Sequence, residues 1–168
     1  MAKPNVILSG FADEGPIGKK AEEQLTMISA LGLSYYTIRF IDVGRGVKNV
    51  MELNDKEILR LQELHRSFGI SVSSIGSPLG KIKLLDQEDG TKNQFVPLEK
   101  YLKEDVARAI ELASAFGTKL IRGFSFYHPY KEDPWQYLDM AAENLSAIVE
   151  TCAKAGVVYG LEVESNLV

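Results

Sequence analysis

The stretch GLEVESNLV carries two carboxylates, Glu162 and Glu164, spaced two residues apart. In a β-strand over residues 157–164 successive side chains alternate between faces. Glu162 and Glu164 then share a face with Val158 and Gly160, opposite Val157, Tyr159, Leu161 and Val163. An acid on a buried face needs a partner, because an unpaired buried charge is costly. A divalent metal is one such partner; a salt bridge to Lys or Arg at the surface is the other reading.

Further candidates sit where expected strands run into loops. SGFADEG places Asp13 and Glu14 side by side, and two acids cannot cradle a phosphate. They fit either a solvated helix-capping loop or a rim that binds substrate hydroxyls. Arg39, inside YYTIRF, is either an exposed, salt-bridged residue or a planar cation aimed at a carboxylate, a phosphate or an acidic partner; Arg122 lies inside KLIRGFSF. In IGSPLGKI, Ser77 breaks a strand and Lys81 either neutralises a substrate anion or is simply solvated. Phe124 and Phe126 follow Arg122 at strand spacing, and Tyr127, His128 and Tyr130 then line a mouth, as a wall for a sugar face or a hydrophobic lid. His128 is equally readable as a hydrogen-bonded structural residue.

Composition narrows the partners. The chain has 168 residues, 45% hydrophobic and 25% charged, with a formal net charge of −4. That is the make-up of an ordinary soluble domain with a real core. No Lys/Arg run marks a nucleic-acid surface. No apolar run nears the roughly 20 residues needed to span a membrane, and no signal peptide is evident. The one cysteine, Cys152, lies on an apolar helical stripe and reads as packing. These features together predict a cytoplasmic protein.

Short apolar runs alternate with amphipathic helices. Strands are predicted over 5–10, 34–40, 70–76, 119–126 and 157–164. Helices are predicted over 19–31, from Asn54 to Phe68, over 99–116, and from Pro134 to about Ala155. Asn54 with Glu57 forms a capping-box pattern, and Asp133-Pro134 is a helix start. The last helix should turn Leu138, Ala142, Leu145, Val149 and Cys152 inward. The segment from Ser77 to Leu98 has the length of a lid or binding loop. Strict alternation implies a parallel sheet with right-handed crossovers. An open flavodoxin-like sheet and part of a (β/α)₈ barrel both fit. Strands with one apolar and one small or polar face favour the barrel over an open sheet, whose central strands are apolar throughout.

Taken in order, SGFADEG, YYTIRF…KNV, SSIGSPLGKI, IRGFSFYHP and GLEVESN resemble the xylose isomerase-like TIM barrels, the sugar phosphate isomerase/epimerase family. The resemblance spans the chain. It implies an α/β fold of TIM-barrel type with sequential parallel strands, about five of eight βα units being present, as one partial domain over 1–168. It also implies a metal-dependent isomerase or epimerase acting on a small sugar or polyol. A divalent ion (Mn²⁺, Mg²⁺, Co²⁺ or Zn²⁺) would sit on Glu, Asp, His and Glu from the ends of strands 5 to 8. Two of those carboxylates would move a proton beside a carbonyl.

Glu162 corresponds to the first metal ligand and catalytic carboxylate, with Glu164 at the rim. Asp13, Glu14, Arg39, Ser77, Lys81, Arg122, Phe124, Phe126, Tyr127 and His128 are the substrate-binding candidates. Thr37 stands where many members carry an acid two positions before the arginine. Only one of the four expected ligands falls within these residues. The expectation is therefore little activity from this chain alone, and self-association or a homo-oligomer through open barrel edges. The alternative is a non-enzymatic open-sheet module of flavodoxin or receiver type. A receiver, however, would end its third strand on an acid and its fifth on a lysine. An apurinic-site endonuclease would need more than the two histidines present.

Overall fold

The computed structural model describes residues 6–168. They form two compact units. One runs up to Gly76 and takes in Ser114–Thr118; the other comprises Ser77–Ala113 and Lys119–Val168.

The first unit holds helix α1 (Ala21–Ala30), strands β1 (Tyr35–Ile38), β2 (Phe40–Asp42) and β3 (Val47–Asn49), helix α2 (Asp55–Phe68) and strand β4 (Ser71–Gly76). β1 and β4 pair in parallel, from Tyr35 with Ser71 to Ile38 with Ile75. Thr37 also bridges Phe11 in parallel, and its N–H donates to the Gly10 carbonyl at 2.9 Å. β1 is thus flanked by the 10–11 segment and by β4. An open sheet of the 2-1-3-4-5 order would instead put the first segment between those two strands. Sequential neighbours are the barrel arrangement.

The expected first strand is reduced to this bridge. Residues 6–10 form no strand, and Asn5 lies outside the described residues. Val6, Ile7 and Leu8 are 69%, 55% and 67% exposed, so burial does not hold them in a sheet.

The expected strand over 34–40 breaks at Arg39, and a β2–β3 hairpin follows that the apolar pattern does not reveal. Asp42 builds the turn: one carboxylate oxygen accepts the N–H groups of Gly44, Arg45 and Gly46 at 2.7, 3.0 and 2.9 Å. The capping box of α2 forms as read. Asn54 accepts from the Glu57 N–H at 3.1 Å, and Glu57 accepts from the Asn54 N–H at 2.9 Å. Leu25, Ile28, Tyr36, Ile38, Ile41, Leu61 and Ile75 form the core of this unit.

The second unit begins with the 77–97 segment. A long helix follows, made of α3 (Leu98–Tyr101), one π-helical turn (Leu102–Val106) and α4 (Ala107–Phe116), whose last residues belong to the first unit. Then come β5 (Leu120–Gly123), a 3₁₀ turn (Pro134–Tyr137), α5 (Leu138–Lys154) and β6 (Val158–Leu161). β5 and β6 pair in parallel, from Leu120 with Val158 to Gly123 with Leu161. Both strands are shorter than the apolar pattern predicts.

The inward face of α5 is rotated from the expected one. Ala141, Ile148 and Cys152 are buried, whereas Leu138 and Val149 are 46% and 45% exposed. Both sets satisfy helical spacing, so periodicity alone could not choose between them. Cys152 packs inside, and burial pushes its thiol pKa up, as suits a structural cysteine. The 77–97 segment lies along its neighbours rather than free. Leu84 N–H donates to the Tyr127 carbonyl, and Tyr127 N–H to that of Ile82, both at 2.9 Å. Buried Lys83 pairs with Asp89 at 2.8 Å and pulls that carboxyl well below its usual range. Among the described residues no helix is long and apolar enough to cross a membrane.

Candidate functional site

In the first unit Asp13, Glu14 and Arg39 come together. Arg39 follows β1, just where the chain leaves the β1–β4 ladder. Gly76, at the end of β4, permits this: a Cβ there would lie 2.8 Å from the Arg39 Cβ and 3.0 Å from the Ile38 carbonyl oxygen. The guanidinium donates from Nε to Asp13 Oδ2 at 3.0 Å, and from Nη2 to Glu14 at 2.9 Å. It also lies 4.5 Å from the centre of the Phe11 ring. Burial pushes its pKa down, but the hydrogen bond and charge of Asp13, then those of Glu14, outweigh this and raise it. Asp13 is 1% exposed, and its Oδ1 has no hydrogen-bond partner among the described residues. This arrangement makes Arg39 a clamp for the 12–14 turn. Glu14 is the member of the trio that reaches solvent, its side chain 64% exposed.

In the second unit the parallel register does the positioning. Arg122 of β5 stands opposite Gly160 of β6, and Glu162 lies two residues further along on the same face. That diagonal separation is within reach of a long side chain. The pair is bidentate: Nε donates to Oε2 at 2.7 Å and Nη2 to Oε1 at 3.2 Å. This is the planar match that a guanidinium offers and an ammonium does not. Ser77 fixes the arginine from behind. Its hydroxyl donates to the Arg122 carbonyl at 2.6 Å, and its own carbonyl accepts from Nη1 at 3.1 Å.

Lys81 pairs with Glu164 at 2.8 Å. The Lys81 ammonium and the Arg122 guanidinium both approach the buried Phe124 ring, at 4.1 and 4.3 Å from its centroid. Five candidate residues, Ser77, Lys81, Arg122, Phe124 and Glu162, thus form one cluster just past the C-terminal ends of β5 and β6. It carries two cations and one carboxylate; Glu162 pairs with Arg122, and Glu164 at its edge pairs with Lys81.

The remaining candidates divide. Phe126 is 1% exposed and belongs to the core. Tyr127 and His128 line a separate cavity, joined there by Asn93, Lys131 and Asn166. None of those three stands out in the sequence as a site residue, although Asn166 ends the GLEVESN stretch; loop folding brings them to the cavity.

The residues do not fit a divalent metal as they stand. Among the described residues no three His, Cys, Asp or Glu side chains converge, and both Glu162 oxygens are taken by Arg122.

No curated protein matches the sequence. Solved structures do match in fold. One is a xylose isomerase-like TIM barrel protein from Mycobacterium smegmatis in complex with magnesium. It is 18% identical with a TM-score of 0.63, covering 96% of this chain and 56% of that one. The 3-keto-D-glucoside 4-epimerase from E. coli is 15% identical with a TM-score of 0.62, covering 96% and 58%. The D-allulose 3-epimerase from Methylomonas sp., in complex with D-allulose, is 14% identical with a TM-score of 0.66, covering 99% and 55%. The chain therefore spans little more than half the length of these structures, and at these identities they establish the fold. The family described as the xylose isomerase-like TIM barrel matches residues 25–167. With sequential parallel strands alternating with helices, and that match over most of its length, the chain belongs to the xylose isomerase-like TIM barrel family.

Proposed function

We propose that the chain forms part of a sugar isomerase or epimerase, in which Glu162 exchanges a proton at a carbon beside the carbonyl of a small sugar or polyol. The observation that carries this reading is the bidentate hold of Arg122 on Glu162 at the C-terminal ends of parallel strands, the active end of such barrels. A carboxylate fixed in one orientation by a buttressed arginine is pre-positioned for proton transfer. Ser77, Lys81 and Arg122 orient the substrate's oxygens around it. Asp13, Glu14 and Arg39 shape the substrate-facing rim of the first unit.

Isomerisation takes a second acid–base group, and the nearby carboxylate Glu164 is tied to Lys81. Residues 1–168 on their own are therefore expected to bind sugar but not to turn it over. The expectation of Mn²⁺, Mg²⁺, Co²⁺ or Zn²⁺ rests on the family resemblance, and no step here passes through a metal. Self-association belongs to the same proposal: β6 pairs only with β5 among the described strands, and Val158 and Leu161 on it are 61% and 51% exposed. An open, apolar strand edge invites pairing.

The test is amide NMR of the chain titrated with a ketohexose, alongside a turnover assay and light scattering. Shifts at residues 77, 81, 122 and 160–164 that disappear in Glu162→Gln, without turnover, are expected. Absence of any shift there by any ketose or aldose defeats the proposal. Robust turnover by a monomer defeats its claim that a second group is needed.

A further inference from the structure

Arg122 and Glu162 are committed to each other, and several uncommitted polar side chains of the second unit lie elsewhere. They gather in one cavity of about 510 Å³, within the range of small-molecule sites. Asn93, Tyr127, His128, Tyr130, Lys131 and Asn166 supply its polar lining, together with Thr91. Among the described residues, the side chains of Asn93, Tyr127, Tyr130 and Asn166 find no hydrogen-bond partner, and Lys131 finds no acidic one. The Lys131 ammonium lies 5.2 Å from the centre of the Tyr130 ring. His128 Nδ1 donates to the Pro129 carbonyl at 3.0 Å, leaving Nε2 uncommitted. No carboxylate lines the cavity, although the chain holds 23 acidic residues against 19 basic ones.

The backbone points the same way. Among the described residues only Lys19, Lys131 and Asn166 have positive φ without being glycine, and two of those three, Lys131 at 67° and Asn166 at 76°, line this cavity. A left-handed lysine costs conformational energy that a glycine would not, and such outliers concentrate at ligand sites.

We propose that this cavity is a subsite for the anionic end of a sugar, a phosphate or a carboxylate. The lining offers two phenol hydroxyls, two carboxamides and one ammonium, all able to donate, with one exposed tyrosine ring as a flat apolar face. That set suits a ligand rich in acceptors and bearing negative charge, and no acid is present to repel it. The inference rests on the sugar-binding reading above and adds the charge of the substrate to it.

The experiment is amide NMR titration of the chain with D-glucose 6-phosphate, D-gluconate, D-glucose and inorganic phosphate. It is repeated on Lys131→Gln and Lys131→Gly. At least one of the two charged sugars should shift residues 127–131 and 166 and bind at least tenfold more tightly than D-glucose. Whether glucose 6-phosphate or gluconate does so identifies the anion. Lys131→Gln should bring charged and neutral sugars to within about threefold of each other. Lys131→Gly should lose the same preference while melting at a higher temperature, because glycine relieves the left-handed backbone. D-Glucose binding as tightly as the charged sugars overturns this inference and leaves the sugar-binding reading intact. Binding of inorganic phosphate alone, with no sugar bound, overturns this inference, as does a lack of any binding; the sugar-binding reading falls only if the ketohexose titration above fails as well. An anion preference that survives both substitutions also overturns it.

Discussion

His65 offers the sharpest test of the energetics. It lies on the buried face of α2, 9% exposed. Its ring stands edge-on to Tyr36 and Phe116, with centroids 5.5 and 5.6 Å away. Its Nε2 lies 2.8 Å from the Tyr36 hydroxyl. Burial lowers its pKa from 6.5 to about 4. Burial also pushes the Tyr36 pKa above its ordinary 10, so the phenol keeps its proton and can donate it to a neutral Nε2. A proton on Nε2 would require the hydroxyl to turn and accept instead, and the charged ring would still be buried.

In the unfolded chain the imidazole titrates near 6.5. Between pH 6.5 and 4 the unfolded state therefore binds a proton that the folded state refuses, and stability falls as pH falls through that window. The full loss, about 2.5 pKa units at 1.36 kcal/mol each, is about 3 kcal/mol below pH 4. By pH 5, with the folded ring still mostly neutral, the loss is about 2 kcal/mol. The assay is urea denaturation of the wild type and of His65→Gln at pH 7.5 and pH 5, followed by far-UV circular dichroism, because the one tryptophan, Trp135, is 76% exposed and would report poorly. The glutamine cannot titrate, and every carboxylate contributes equally to both proteins. The wild type should lose about 2 kcal/mol more than the variant between the two pH values. Equal losses would refute the reasoning, as would an NMR titration that places His65 near 6.5.

Other expectations concern the frame of the site. Gly123→Ala should destabilise by about 1–3 kcal/mol through overpacking, since a Cβ there would sit 2.2 Å from the Tyr159 ring; thermal unfolding reads the loss, and a neutral result would show that the ring yields freely. Asn54→Ala removes one side of the capping box and should cost α2 about 1 kcal/mol, measurable by chemical denaturation. Arg122→Lys keeps the charge but loses the fork, so crystallography or NMR should find Glu162 in more than one orientation; a single unchanged rotamer would show that the guanidinium geometry is dispensable. The Lys83 hydrogen bond, first among several causes, holds the Asp89 pKa down, so that pair stabilises above the usual carboxylate range and weakens as pH falls. Lys83→Met should therefore increase hydrogen exchange across 83–91 at neutral pH, and unchanged protection would show that the pair does not hold the loop.

Much of this fold is legible in the sequence because the signals are local. Asn54 and Glu57 are three residues apart and bond to each other's backbone, so the start of α2 can be read from two letters. The β5 and β6 cores, Ile121 and Tyr159, alternate with Arg122 and Gly160 as a pleated strand requires, and this alternation carries Glu162 onto the face that Arg122 occupies. What the pattern misreads depends on something outside the window. Residues 6–10 look like a strand but find no burial. The β2–β3 hairpin is invisible in apolar spacing because the Asp42 carboxylate builds it. The α5 face slips because Ala142 and Val149 fit the helical period as well as Ala141 and Ile148 do.

The same distinction governs the site. Alternation places Arg122 and Glu162 on small or polar strand faces, but only the observed β5–β6 register brings them together. That Ser77 would lock both the arginine's backbone and its side chain cannot be read from spacing, because 45 residues separate them. Nor could spacing bring Asn93 and Asn166 to one cavity with Tyr127 and His128. Of the candidates read from the sequence, Arg122 and Glu162 are spent on each other in an ion pair, whereas Tyr127 and His128 line a cavity with residues that only loop folding brings there. Register places the Arg122–Glu162 pair, whereas loop folding places the polar residues around Lys131.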